Sequence, residues 1–179
     1  MWGTKPFADE VTIGPDGITL RWPLGSAEER YSGTWIAWSA VRDADPDMFP
    51  PELRLTDGRT VFISRERQAE LAVALTAAQV PVRKRGDVWS NLLEPFLDID
   101  YDEVTRAGCE SKLHAWGFDD QEIKQIRDRV WDWMTALTLA TSEWGNYGHH
   151  DVLLAAGNLP AERYLAFRAW ADTIAARAP

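Results

Sequence analysis

Pro81 separates two patterns in this chain of 179 residues. Before it, short runs of β-branched and apolar residues alternate with turn residues. After it, apolar residues return at three- and four-residue steps. Strand patterning followed by unbroken helix patterning limits the architecture to α+β, because parallel βαβ units would need the two to alternate. The expected organisation is a small antiparallel sheet or partial barrel closed by a helix over residues 1–82. A linker follows at 83–87, then a bundle of four to five helices over 88–179. The linker is short and holds the two parts docked.

Asp16-Gly17 between Val11-Thr12-Ile13 and Ile18-Thr19-Leu20 predicts one hairpin, and Asp57-Gly58 between Leu53-Arg54-Leu55 and Val61-Phe62-Ile63 a second. Trp35 to Val41 is a third strand candidate, and the stretch Asp43 to Pro51, with three prolines and three aspartates, is expected to be irregular. Ser64 is placed to cap a helix Arg65–Ala78 with Leu71, Leu75 and Ala78 inward and Ala72 and Val73 widening the stripe. Strand hairpins followed by a late helix over residues 9–82 resemble the order of pleckstrin-homology-like domains. That resemblance implies binding of anionic lipid heads or peptides. A lipid site would need a basic cluster in the first hairpin loop, and here the loop is Gly14-Pro15-Asp16-Gly17.

In the second half, Asp87, Asp102 and Asp119 are each placed to cap a helix. Pro95 predicts a break in the first of these. Ile123, Ile126, Val130, Trp133, Met134 and Leu137 form the stripe of the longest helix. A further helical run covers 147–156, and Pro160 opens the last, with Tyr164, Phe167, Trp170 and Ile174 inward. Residues 88–153 look like segments of uncharacterised bacterial proteins, a likeness that implies no activity.

The net charge of −9 is lopsided. Residues 1–86 carry 11 Lys and Arg against 12 Asp and Glu, and residues 87–179 carry 8 against 16. An acidic helical half repels phosphate backbones, so no nucleic-acid partner is expected. No run is long and apolar enough to span a membrane. Cys109 is the only cysteine, and the N-terminus has neither the basic nor the apolar run of a leader, so a cytoplasmic setting is expected.

Few residues suggest chemistry. His114, Glu143 and His150 are an acceptable ligand set for zinc, with His150 and Asp151 the catalytic pair of a metal-dependent hydrolase. No standard metal spacing supports that set, and no cofactor is expected. Arg83, Lys84 and Arg85 form the one basic run, a candidate anion site or a solvated linker face. Trp131 stands two residues from Trp133 and so off the apolar stripe; with Trp144 and Tyr147 nearby, it predicts an interdomain seam, a partner surface or a small-ligand pocket. The reading that follows is a non-enzymatic interaction or regulatory protein with a protein partner.

Overall fold

The computed structural model describes residues 8, 10–96, 102–141 and 146–179. The fold is α+β, an N-terminal antiparallel region followed by a block of helices. It forms two compact units, and neither is one continuous stretch of chain. The first takes the chain up to Arg85 together with Gly157–Ala169; the second takes Gly86–Ala156 together with Trp170–Pro179.

The first unit has not one sheet but two of three strands each. In one, β1 (Glu10–Ile13), β2 (Gly17–Arg21) and β3 (Thr34–Ala37) pair in sequence order; in the other, β4 (Val41–Asp45), β5 (Glu52–Leu55) and β6 (Thr60–Phe62) do the same. The predicted strand from Trp35 to Val41 is broken because Trp38–Ala40 winds into a single 3-10 turn. The indole of Trp38 buries there and donates from Nε1 to the Gly14 carbonyl at 3.1 Å, while its backbone N–H reaches the Asp16 carbonyl. Both hairpins form where the Asp-Gly pairs predict them.

The stretch expected to be irregular from Asp43 is instead strand as far as Asp45. Asp43 lies directly across from Arg54 in the β4–β5 register. Arg54 donates from Nε to the Asp43 carboxylate and from Nη2 to the Arg83 carbonyl, while Arg42 and Arg85 reach the same carboxylate at 2.8 and 3.3 Å. A buried carboxylate in a strand is tolerable only with such partners. Burial alone would raise the Asp43 pKa, but the guanidinium groups outweigh it and hold it below the usual carboxylate range.

The closing helix, α1 (Gln68–Ala77), starts later than predicted. Arg65–Arg67 forms a 3-10 turn first, and the Ser64 side chain makes no capping bond. Leu71 and Leu75 are buried as expected, whereas Val73 is exposed. The helix ends in a Schellman motif. Val80 N–H bonds the Leu75 carbonyl, Gln79 N–H bonds that of Thr76, and Gln79 takes the left-handed conformation at φ 56°. Pro81 then prevents continuation, and residues 81–83 form a short parallel bridge to Ala44. Ile18, Leu20, Leu53, Ile63, Leu71 and Leu75 are the fully enclosed centre of this unit.

Residues 157–169 belong to the same unit through a buried polar cluster. Glu28 is 2% exposed, at the end of the loop that follows β2. It accepts from the Tyr164 hydroxyl and from Arg168, and Arg168 also donates to the Thr60 carbonyl of β6. Burial and the Glu28 carboxylate together push the Tyr164 phenol well above its ordinary pKa.

The second unit is built on α2 (Val88–Leu93), α3 (Glu103–Ala115), α4 (Asp120–Thr141), α5 (His149–Ala155) and the end of α6 (Ala161–Ala175), whose residues up to Ala169 count with the first unit. The described residues thus hold six α-helices. Asp87, Asp102 and Asp119 each accept the N–H three residues on, as predicted. Pro95 ends α2 in a 3-10 turn, Glu94–Phe96. α3 closes with Gly117 at φ 82° and a Phe118 N–H to Leu113 carbonyl bond. Ile123, Ile126, Val130, Met134 and Leu137 of α4 are buried, and Trp133 lies at the edge of that stripe. None of the described helices is long and apolar enough to cross a membrane.

Candidate interaction surface

Trp131 stands on α4 one position past the buried Val130 and remains 53% exposed. The sequence places it off the stripe, and the neighbouring fold gives it a mount. Phe96, held by the Pro95 turn, packs its ring against the indole with centroids 5.1 Å apart and planes tilted by 53°. Trp131 therefore rests against an aromatic support while about half of the residue stays open to water.

The surface beside it is an open groove of about 440 Å³ between α3 and α4. Ile123 is its apolar floor, Arg106 and Glu110 line the α3 side, and Lys124, Arg127 and Asp128 line the α4 side. Arg127 is already engaged. It donates to the Leu92 carbonyl at 3.1 Å and to Asn91 at 3.5 Å, two of the carbonyls that end α2, and it pairs with Glu110 at 3.4 Å. Lys124 and Asp128 pair along the exposed helix face. Asp132, next to Trp131, is exposed.

Of the other two predicted surface residues, only Tyr147 is described, and it does not join it. Tyr147 is buried, its hydroxyl 2.9 Å from Thr138 Oγ1. Trp144 and Glu143 lie outside the described residues.

The remaining candidates are placed as follows. His114, at the exposed end of α3, has Nε2 2.8 Å from Asp120 Oδ1. His150 is in the first turn of α5, Nε2 3.1 Å from Asp151 Oδ1. Burial pushes the His150 pKa down to about 4 and outweighs that carboxylate, so the imidazole is neutral at pH 7. Asp151 has its other oxygen committed to the Gly148 N–H at 2.8 Å, where it caps α5. Among the described residues, no group of three or more His, Cys, Asp or Glu is placed to hold a metal ion. Burial and the Glu94 charge raise the Cys109 thiol above its ordinary pKa, the wrong direction for a nucleophile.

The basic run is split by its surroundings. Arg85 turns to buried Asp43, and Arg83 lends its carbonyl to Arg54. Arg83 and Lys84 are both exposed, and Lys84 Nζ lies 3.4 Å from exposed Asp47.

Sequence reasoning missed two buried polar centres. One is the Glu28–Tyr164–Arg168 cluster. The other lies around α5 and α2, where His149 is buried 3.6 Å from Asp172 Oδ1 with its ring facing Trp89. Trp89 in turn donates from Nε1 to the Ala171 carbonyl at 3.1 Å. The only signal for either was a polar residue beside an inward one, Arg168 after Phe167 and Asp172 before Ile174.

Compared with protein-family models, with curated proteins and with solved structures, the chain matches none.

Proposed function

We propose that this protein acts by non-catalytic association with another protein, through the α3–α4 face that presents Trp131. The observation that carries the reading is the half-exposed indole on a fixed aromatic support. Roughly 100 Å² of indole left in water forgoes about 2.5 kcal/mol of apolar burial. A partner that covers the ring regains much of that, with little ordering of the side chain because Phe96 already holds it. Tryptophan is the residue type most enriched among those that dominate interface energies. A groove with an apolar floor and a polar rim alongside is the form such contacts take.

The test is Trp131→Ala in the full chain. Capture of the natural partner is expected to weaken at least about tenfold. The thermal midpoint is expected to fall by only a few degrees, since half of the ring is already solvated. Partner capture equal to that of the parent protein would overturn the assignment of this face.

A further inference from the structure

We propose that the segment docking on Trp131 is basic, and that it sets an arginine or lysine side chain on the indole. The inference rests on the reading of this face as an interaction surface and adds the chemistry of what it takes.

Charge complementarity is the reason. The two stretches that make up the second unit, 86–156 and 170–179, carry 15 acidic and 6 basic side chains, a surplus of nine negative charges. A net charge of that sign attracts cationic segments from a distance and disfavours acidic ones. The local arrangement agrees. Asp128 lies one turn before Trp131 and Asp132 lies next to it, both exposed. An indole is the strongest aromatic acceptor for a cation, and carboxylates beside it hold a guanidinium or ammonium over the ring.

The bases that line the groove do not cancel this. Arg127 is held by Glu110 and by the end of α2. Lys124 is held only by the surface pair with Asp128, with its side chain 74% exposed. An exposed pair of that kind contributes little and exchanges readily for an incoming arginine. Arg106 stands on the opposite wall.

The chain has ten tryptophans, so the experiment must single out one. The full chain labelled with 5-fluorotryptophan is titrated with an acetylated hexa-arginine amide, and the Trp131 fluorine resonance is identified by its loss in Trp131→Phe. The resonance is expected to move, with an affinity that falls as salt is added. Asp128→Asn combined with Asp132→Asn is expected to weaken binding about fivefold. Trp131→Ala lacks that resonance, so its affinity for the same peptide is read by titration calorimetry beside the parent protein; with its fold checked by the thermal midpoint, it is expected to weaken binding as much. Equal binding by these variants would mean that the peptide coats the acidic surface at large, and would overturn the proposal. A shift caused by hexaglutamate, or by raising the protein concentration alone, would also overturn it, in favour of an acidic partner or a second copy. A neutral or acidic natural partner that cross-links at position 131 would remove this inference and leave the interaction reading intact. A natural partner that leaves the Trp131 resonance unmoved would remove both.

Discussion

Glu28 and Arg168 stand 140 residues apart in the chain and share a buried ion pair. The pair ties the loop after β2 to α6, and Arg168 extends it to the Thr60 carbonyl of β6. The sheet unit is therefore completed by a segment that returns to it after 71 residues of the other unit, 86–156. Removing Arg168 leaves the buried Glu28 carboxylate without its counter-charge, held by the Tyr164 hydroxyl. Arg168→Met is expected to lower the unfolding free energy by about 3–5 kcal/mol, read by urea denaturation. Combining it with Glu28→Gln removes both charges and keeps an acceptor for the Tyr164 hydroxyl. The double variant is expected to recover more than half of the loss. A double variant no more stable than Arg168→Met alone would show that the pair is not coupled.

Asp87 sets two effects against each other. Its carboxylate accepts the Ser90 N–H at 2.8 Å and so caps α2, but burial raises its pKa and disfavours the charge. A carboxyl raised in this way contributes stability below its unfolded pKa and loses it as pH rises through the folded value. Asparagine caps as well as aspartate and carries no charge. Asp87→Asn is therefore expected to be more stable than the parent protein at pH 7 and no more stable at pH 3. Asp87→Ala lacks both the charge and the cap, and is expected to be about 1 kcal/mol less stable than Asp87→Asn at both. Thermal melts of the three proteins at the two pH values decide it; an asparagine variant less stable at pH 7 would contradict the reading of burial as the dominant influence.

His150 makes stability depend on pH on the acid side of neutrality. Burial depresses its folded pKa from 6.5 to about 4. The contribution is complete above pH 6.5 and is lost as pH falls toward 4, because the unfolded chain takes up the proton first. The loss over that window is about 3 kcal/mol at most. His150→Gln removes the titration, so its stability is expected to fall less than that of the parent protein between pH 6.5 and 4. Parallel pH profiles of the two proteins would contradict the assignment.

The elements that were legible in the sequence are those whose signals are local. Asp-Gly turns fixed both hairpins, aspartate caps fixed three helix starts, and Pro81 and Pro95 fixed two ends. What could not be read depends on partners far along the chain. Asp43 looks like a loop residue until Arg54, Arg42 and Arg85 are seen around it. Trp38 looks like a strand residue until its indole N–H finds Gly14. Ser64 has the right chemistry for a cap, but the 3-10 turn at Arg65–Arg67 carries the chain past it before the helix begins. At the candidate surface, helical period placed Trp131 off the stripe, and only the structure could add Phe96 as its support. Tyr147, close to Trp144 in sequence, turned inward to Thr138.

The most direct measurement is site-specific photocrosslinking in the cell, with the crosslinking residue at Trp131 in one variant and at exposed Val73 of α1 in a control. The expected result is one discrete adduct from position 131, identified by mass spectrometry with the crosslink on a basic segment of the partner, and none from position 73. No adduct from position 131, or the same adducts from both positions, would contradict the claim that this face is where the protein meets its partner.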